Sequence, residues 1–344
     1  MIILTDILRP PIDEGSKVTV YNLLKLMSAK NSNFIYLINC EKQFDFIHSS
    51  ITLNKLLFRF SFYKKLKSHT HNTILYIPEA SITFFSFIRS KLLQIFTKKK
   101  IVILSLQPRT YSGKELFLIK LFFKVNCIIT QSKKTSDYLN TVGLKNHILP
   151  LGVDNVKYNE FDDLKKRRLR KKYHIEYDKT VLLHVGHIQV SRNLEMLIKV
   201  KKDYPDFEVI IIGSTYNKND EVLFKRIVDS GIRVISEYIK NMEDMYNLAD
   251  FYIFPVLKND GAIETPLSVL EAMACNLPVI TTKFGSLPDV FNEDDFFHFV
   301  KTNDDFAEIL NKGPTMPCNN KSKIDVYSWG RITDRLIDII ENEI

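Results

Sequence analysis

Short runs of β-branched and aromatic residues alternate with helix-like segments along the whole 344-residue chain. Short apolar runs such as Cys127–Thr130 (CIIT) and Phe251–Phe254 (FYIF) are typical of strands in a parallel sheet. Because the strands of such a sheet are joined by helical crossovers that cover both faces, the alternation predicts an α/β fold. The pattern starts again near Thr180, and the chain is long for one hydrophobic core. We therefore predict two doubly wound, Rossmann-like domains that face a central cleft at the carboxyl ends of their strands.

The predicted boundary follows a strand at Ile148–Leu151 and the turn at Gly152. We predict an N-terminal domain over residues 1–155, a C-terminal domain over 156–325 and an amphipathic helix over 326–344 that packs back on the N-terminal domain. No apolar run is long enough to span a membrane, and the four cysteines are widely spaced, so a cytoplasmic protein without zinc or disulfides is expected.

Charge is distributed unevenly, with 22 Lys and Arg against 9 Asp and Glu in residues 1–155 and 26 against 31 in the remainder. Three segments of the first half, predicted to be helices, mix lysine with phenylalanine and leucine: 53–69, 82–100 and 114–124. Such helices suit the surface of an anionic bilayer, which would place the protein peripherally on the inner face of the membrane. The alternative, in which the apolar faces pack on the sheet and the lysines are only solvated, stays open. Nucleic-acid binding is not expected, because the lysines are interleaved with aliphatic residues.

The stretch 260–282 (DGAIETPLSVLEAMACNLPVITT) contains the principal candidate site. Thr265 suits the N-cap of a helix and Pro266 its first position. The helix that follows has only two polar residues, Ser268 and Glu271, so it is predicted to be buried on every side. A buried carboxylate requires a cation, backbone donors or the hydroxyls of a ligand, and a helix N-terminus favours an anion. The stretch therefore indicates a ligand with hydroxyls and phosphate, such as a nucleotide sugar. The alternative is a glutamate satisfied by backbone or lysine.

Several motifs resemble those of the retaining nucleotide-sugar glycosyltransferases of glycosyltransferase family 4, which have the GT-B fold. The strongest is LEAMACNLPVIT (Leu270–Thr281), and LLHVGHIQVSRNLEMLI (Leu182–Ile198) and VIIIGS (Val209–Ser214) are also similar. CIITQS (Cys127–Ser132) and ILPLGVD (Ile148–Asp154) match more weakly. The resemblance covers most of residues 127–300 and the first 126 residues in outline.

This resemblance implies a hexosyltransferase that moves a sugar, with retention, from a nucleotide-diphosphate sugar to a hydroxyl of a glycan or lipid-linked glycan precursor. It implies no metal and no cofactor other than the donor substrate. Glu271 takes the position of the glutamate that binds the nucleotide ribose. His187 and Arg192 take the positions of two cations that bind the pyrophosphate.

Departures from the family pattern define further expectations. Ile263 stands where the family has a glutamate that contacts the donor sugar, and Glu264 is one residue later. Gln107 stands at a strand end where many members have a histidine, so no protein base is visible there. Asn193 and Asn276 replace glycines, and asparagine tolerates the left-handed conformation that a helix C-cap needs. The predicted catalytic residues are Arg192, His187 and Glu264; the predicted donor-binding residues are Glu271, Gly15, Gly186, Gly213, Thr265, Pro266, Leu267 and Ser268; the predicted acceptor-side residues are Gln107 and Arg109.

Three other functions are compatible with the same fold. A nucleotide-sugar epimerase would isomerise or hydrolyse the donor without an acceptor, and a sugar phosphorylase would need a cofactor lysine that no motif supplies. A non-catalytic nucleotide-sugar-binding module would bind the nucleotide and transfer nothing. Ile263 and Gln107 motivate this last alternative, because they replace functional residues of the family.

Overall fold

The computed structural model describes residues 1–30, 33–54, 57–79, 81–213, 220–258, 261–314 and 317–344. Asp260 and Ser214, the end residues of two stretches quoted above, lie outside the described residues. The chain divides into two compact units. Unit 1 comprises Met1–Leu151, Ile263–Thr265 and Trp329–Ile344, and unit 2 comprises Gly152–Ala262 and Pro266–Ser328.

Unit 1 is an α/β structure built on a parallel sheet. Its strands are β1 (Ile2–Thr5), β2 (Phe34–Ile38), β3 (Ser49–Ile51), β4 (Leu53–Asn54), β5 (Leu57–Phe58), β6 (Thr73–Ile77), β7 (Lys100–Leu104), β8 (Cys127–Thr130) and β9 (Asn146–Ile148). Its first helices are α1 (Gly15–Ala29), α2 (Phe60–Ser68), α3 (Phe84–Thr97), α4 (Gly113–Phe122) and α5 (Lys133–Thr141). Within the described residues the main sheet has the order β3-β2-β1-β6-β7-β8-β9, and β4 and β5 form a separate antiparallel pair.

Unit 2 repeats this architecture. Its strands are β10 (Val181–Val185), β11 (Glu208–Ile212), β12 (Arg233–Ile235), β13 (Phe251–Phe254), β14 (Val279–Thr281) and β15 (Phe297–Phe299). Its helices are α6 (Asp163–Lys172), α7 (Glu195–Asp203), α8 (Glu221–Asp229), α9 (Met242–Leu248), α10 (Leu267–Ala274), α11 (Leu287–Val290), α12 (Asn303–Lys312) and α13 (Asn320–Ile324). The sheet is parallel throughout, with the order β12-β11-β10-β13-β14-β15 in the described part of the chain. The predicted α/β class with two Rossmann-like sheets is confirmed.

Central strands of both units are apolar along their whole length and buried on both faces. Strand β6 (TILYI) and strand β13 (FYIF) show this, and only Thr73 at the start of β6 is half-buried. Such runs are expected where helices cover both faces of a parallel sheet. Helix α14 (Trp329–Asp338), which ends in a π-helical turn at Ile339–Glu343, belongs to unit 1 and packs on α1. It begins three residues later than the predicted helix, after a 3₁₀ turn at Asp325–Tyr327.

Two of the basic segments are shorter helices than predicted. Segment 53–69 opens with the β4–β5 pair, and Leu57 is exposed while Phe58 is buried, which is the alternation of a strand. Segment 82–100 ends its helix at Thr97, because Lys98 takes the left-handed conformation (φ 58°) and Lys100 starts β7. No helix among the described residues is both long and apolar enough to cross a bilayer.

The predicted strand at Ile148–Leu151 is displaced toward the N-terminus. Strand β9 runs from Asn146 to Ile148, since Ile128 of the neighbouring β8 pairs with Asn146. An edge strand tolerates polar residues such as Asn146 and His147, which the hydrophobic pattern did not select. Asn276 adopts a left-handed backbone conformation, with φ of 58°, as predicted, and Asn193 also does, with φ of 56°.

Candidate functional site

The apolar residues of helix α10 in unit 2 are buried, as predicted, but Ser268 and Glu271 are only half-buried, so the helix is not buried on every side. The Tyr246 hydroxyl donates a hydrogen bond to Glu271 Oε2 at 2.7 Å, and the Tyr158 hydroxyl is a second donor to this carboxylate. Burial raises the pKa of Glu271 to about 7, although both hydroxyls and the charge of Lys157 oppose the shift. The protein partners of this half-buried carboxylate are therefore tyrosine hydroxyls, which were not among the partners expected from the sequence.

Three tyrosines form a connected group beside α10. The rings of Tyr158 and Tyr246 are 5.8 Å apart, and those of Tyr246 and Tyr252 are 5.7 Å apart. The Tyr252 hydroxyl is hydrogen-bonded with the Ser268 side chain, and burial raises the pKa of Tyr252. These tyrosines link Ser268 to Glu271, the two polar residues of the helix. Their spacing in the sequence does not distinguish them from ordinary core aromatics.

Arg192 lies at the end of a 3₁₀ turn (Val190–Arg192) after β10, and only 8% of the residue is exposed. Within the described part of the chain, its Nε atom has no hydrogen-bond partner. Burial lowers the pKa of Arg192 to about 10. A buried guanidinium nitrogen without a partner is energetically costly, and an anionic ligand would supply the missing acceptor.

His184 on β10 adds a second buried nitrogen without a partner. Its Nδ1 donates to the Ile253 carbonyl oxygen at 2.8 Å, so Nε2 carries no proton, and Nε2 has no partner among the described residues. Burial and then the charge of Arg192 lower the pKa of His184 to about 3, which keeps the ring neutral. His184 was not among the predicted site residues, because a histidine inside an apolar strand is usually a core residue.

Gly186, which follows β10, lies close to the side chains of both Arg192 and His184. Its φ of 156° is rare for other residues, and a Cβ atom there would lie 2.6 Å from Arg192 Nη1 and 3.3 Å from His184 Nε2. His187, which follows it, is half-buried. Gly213, at the end of β11, differs, because a Cβ atom there would meet its nearest neighbour, Ile188 Cδ1, at 3.6 Å. Of these two glycines, only Gly186 therefore brings the backbone close to a cation.

Replacing Gly186 by alanine is expected to lower the free energy of unfolding by about 1–3 kcal/mol, because the backbone is strained and the buried Arg192 must move. Gly213→Ala is the matched control and should change it by less than about 1 kcal/mol, since the added methyl makes only ordinary contacts. Urea unfolding of the two variants checks the difference. Equal losses would show that Gly186 and Arg192 are not in close contact.

The N-terminus of α10 differs from its prediction by one residue. Pro266, with φ of −67° and ψ of 112°, is the non-helical flanking residue, and α10 starts at Leu267 without a side-chain cap. Thr265 is therefore not the N-cap, and its backbone N–H donates to Gln131 Oε1 at 2.8 Å within unit 1. The early backbone N–H groups of α10 have no capping side chain, which leaves them suited to an anion.

Glu264 is a buried residue of unit 1 rather than of unit 2. Its carboxylate accepts hydrogen bonds from the hydroxyls of Thr130 at 3.1 Å, Thr135 at 2.5 Å and Ser132. Its backbone N–H donates to the Leu106 carbonyl at 3.0 Å. Burial raises the pKa of Glu264, and the hydroxyls oppose that shift. These bonds secure residues 263–265 to the end of β8, and the catalytic role of Glu264 stays a prediction.

The remaining predicted residues of unit 1 follow other strands. Gly15 starts α1, and a Cβ atom there would lie 3.1 Å from Ile263 Cδ1, so an apolar side chain already lies over this glycine. Gln107 follows β7 and is half-buried, whereas Arg109 is exposed. Their proposed contacts with diphosphate and acceptor stay predictions. Among the described residues, no group of His, Cys, Asp and Glu is arranged to hold a metal ion.

The fold is that of the GT-B glycosyltransferases. The crystal structure of HepE from Anabaena in complex with UDP and glucose superposes with a TM-score of 0.76 over 99% of each chain, at 14% identity, a level that supports the fold alone. The sucrose-phosphate synthase of Thermosynechococcus elongatus superposes with a TM-score of 0.77 over 99% of this chain and 98% of that chain, also at 14% identity.

Residues 165–342, slightly more than half of the chain, match the family described as glycosyl transferases group 1, and the chain belongs to this family. It is 32% identical to the sulfoquinovosyl transferase SQD2 of Arabidopsis thaliana over 147 residues, which are 42% of this chain and 27% of that protein. It is 22% identical to a probable sucrose-phosphate synthase of Thermosipho melanesiensis over 211 residues, covering 57% of this chain and 47% of that protein. The chain thus spans about a quarter to a half of these relatives.

Proposed function

We propose that the protein is a retaining hexosyltransferase of glycosyltransferase family 4, which moves a sugar from a nucleotide-diphosphate sugar to an acceptor hydroxyl. The observation that carries this proposal is the buried Arg192 guanidinium, which lies against Gly186 at the carboxyl end of β10 and has an unpartnered nitrogen. Ligands of open α/β sheets bind at this edge, and a diphosphate would supply the missing partner. The family membership and the UDP and glucose bound to the structurally similar HepE support the same donor class.

In the proposed reaction, the bond between the sugar anomeric carbon and the diphosphate oxygen breaks, and negative charge develops on the leaving diphosphate. Arg192, with His187 and the N-terminus of α10, would stabilise that charge. Glu271, oriented by Tyr246, would accept hydrogen bonds from the ribose hydroxyls. The acceptor oxygen bonds to the anomeric carbon on the face that the diphosphate leaves, and its proton passes to the diphosphate. The proposed mechanism uses no metal and no cofactor besides the donor substrate.

Nucleotide binding and turnover test this proposal in two stages. Melting temperatures are measured with UDP, GDP and ADP, and the sugars of the best nucleotide are then supplied with and without glycan acceptors, in the presence of EDTA. Acceptor-dependent transfer with retained configuration supports the proposal. Isomerisation without an acceptor would identify an epimerase, and binding without any turnover would identify a non-catalytic module; either result would overturn the proposal.

The finer part of the proposal places the acceptor at an anionic membrane surface. Helix α4 (GKELFLIKLF) is apolar nearly all round, yet Ile119 is its buried residue. Contacts join α2 to α3 and α3 to α4. We define the aromatic surface as the exposed apolar residues of these three helices: Phe60, Phe85, Ile95, Phe96, Phe117, Leu121 and Phe122. Exposed lysines flank it, at Lys114 and Lys120 on α4 and at Lys124 just after this helix. Apolar side chains within a rim of lysines suit the headgroup region of an anionic bilayer.

Replacing Phe117 and Leu121, which are 63% and 59% exposed, by serine is expected to weaken binding to phosphatidylglycerol vesicles by at least about tenfold, because two apolar anchors are lost. Vesicle co-sedimentation measures the effect. The control is Val222→Ser with Val228→Ser on α8, which are also exposed and lie in unit 2. Unchanged vesicle binding of the Phe117/Leu121 variant, or equal binding of the protein to phosphatidylcholine alone, would contradict the proposed surface.

A further inference from the structure

Unit 1 contains a buried carboxylate that none of the functions above uses. Asp6 directly follows β1 and is 8% exposed. Its Oδ2 accepts hydrogen bonds from Arg89 Nη1 at 3.0 Å and from the Tyr76 hydroxyl at 3.2 Å. Arg89 Nη1 also lies 3.0 Å from the Tyr76 oxygen. Tyr76 on β6 and Arg89 on α3 therefore hold one edge of the carboxylate in a fixed position.

The other carboxylate oxygen of Asp6 has no hydrogen-bond partner in the part of the chain that the structure describes. Oδ1 is buried and makes no hydrogen bond among the described residues. A buried acceptor that lacks a partner costs free energy, and native proteins retain such groups mostly where a ligand or water completes them. The core below does not explain Asp6, since an apolar residue would continue the alternation of Ile2 and Leu4, which belong to the core cluster on that face.

Asp6 lies at the topological switch point of the sheet. In the sheet β1 lies between β2 and β6, and the chain fills one side with β2 and β3 before it crosses to β6 on the other side. In open α/β sheets, the crevice at the carboxyl ends of the two strands at this point is the usual position of a bound ligand. The unpartnered oxygen thus lies at the edge of unit 1 where the fold itself favours a ligand.

The charges around Asp6 select the kind of ligand. Glu79 follows β6, and Asp13 and Glu14 precede α1; Arg9 lies 3.6 Å from Glu79, and Lys17 lies 3.9 Å from Asp13 and 3.8 Å from Glu14. Burial raises the pKa of Asp6 to about 6; Arg89 opposes that shift and Glu79 adds to it. A carboxylate oxygen without a partner favours a ligand that donates hydrogen bonds, whereas a phosphate or carboxylate would be repelled by Asp6 and Glu79.

We propose that Asp6, positioned by Tyr76 and Arg89, binds a hydroxyl group of a neutral sugar or related polyol, and that this polyol is the acceptor-side substrate. The assignment of this ligand as acceptor rests on the proposed glycosyltransferase function. It places the acceptor contact at β1 and β6, next to the strand that Gln107 and Arg109 follow. Asp6 follows β1 and Tyr76 lies on β6, so their proximity was not visible in the sequence.

The test is saturation-transfer NMR of the full chain with neutral methyl α-glycosides of glucose, mannose and galactose, and with glucose 6-phosphate as the anionic probe. At least one neutral glycoside should bind, and glucose 6-phosphate should not bind more tightly. Asp6→Asn should weaken the best neutral probe by about tenfold and Tyr76→Phe by about threefold, because a charge-assisted bond and a positioning bond are lost. Asp137→Asn, an exposed carboxylate of α5 in the same unit, is the matched control and should leave binding unchanged.

The outcomes separate this proposal from the proposed function. Asp6→Asn should keep the melting-temperature shift that the nucleoside diphosphate produces, since that site lies in unit 2. If the wild-type protein does not bind a nucleoside diphosphate, the proposed function is wrong, but the binding of neutral glycosides can still be compared between wild type and Asp6→Asn. Equal probe binding by wild type and Asp6→Asn, or no binding of any neutral glycoside to wild type, would overturn the present proposal. If Asp6→Asn does not fold, Tyr76→Phe decides, and unchanged binding by that variant overturns it.

Discussion

The Arg192→Met variant is expected to lose nucleotide-sugar turnover by about 10²–10³-fold in kcat/KM, because one preorganised cation at the leaving group is removed. The same variant should unfold at a higher temperature in the absence of nucleotide. A buried charge without a partner destabilises the protein, and methionine fills a similar volume without that charge. Binding and stability are thus expected to change in opposite directions, which is a signature that a purely structural arginine does not give.

Calorimetric unfolding and titration with the nucleoside diphosphate measure both effects. Arg226→Met is the matched control in unit 2, since Arg226 is about half exposed and pairs with Glu195 on the surface. That variant should keep nucleotide affinity and leave stability nearly unchanged, because solvent screens an exposed ion pair. An Arg192→Met protein that binds nucleotide normally, or one that is strongly destabilised, would show that Arg192 serves the fold of unit 2 instead of a ligand.

Glu271→Ala is expected to weaken nucleoside diphosphate binding by about 1.5–3 kcal/mol, because charge-assisted hydrogen bonds to the ribose are lost. The sharper readout is discrimination between the ribonucleotide and its 2′-deoxy counterpart. Wild type should prefer the ribonucleotide, and the variant should bind both equally. Glu308→Ala, an exposed position on α12, is the control and should keep the preference. A preference that survives in Glu271→Ala would place the ribose elsewhere.

The pH dependence of stability offers a second readout of the same carboxylate. The pKa of Glu271 is raised from 4.5 to about 7 in the folded protein, so the folded state retains the proton at pH values where the unfolded state has released it. Its contribution is therefore complete below pH 4.5 and is lost as pH rises through about 7. The loss amounts to about 3 kcal/mol. Glu271→Gln should remove this slope, so wild type and variant should differ more at pH 8 than at pH 5.

The missing hydrogen-bond partner of Arg192 and the raised pKa of Glu271 have the same cause in unit 2, which is burial. Arg192 is buried and Glu271 is half-buried, each with less polar compensation than its charge requires, and each adjoins a backbone element suited to a ligand. Stability is reduced at such positions in exchange for preorganisation, which explains why the two variants are expected to have the largest effects.

Local patterns were sufficient for much of this protein. Strands β8 and β13 were predicted to the residue, because short apolar runs are properties of neighbouring residues. The burial of α10 followed from its composition for the same reason. Predicted element boundaries were wrong where strand pairing decides them, as at β9. They were also wrong where a pair of short strands replaces the start of a predicted helix, as at β4 and β5.

The amino-acid sequence by itself determined the two α/β sheets, the buried helix with one carboxylate and the family to which the chain is similar. Only the tertiary structure decided which side chains contact the candidate functional residues. Tyr246 reaches Glu271 from another helix, His184 lies beside Arg192 across a turn, Glu264 is held by hydroxyls of unit 1, and Tyr76 contacts Asp6 from a neighbouring strand. Hydrophobic periodicity records which face of an element is buried, whereas hydrogen-bond partners depend on contacts between residues far apart in the chain, which no local pattern encodes.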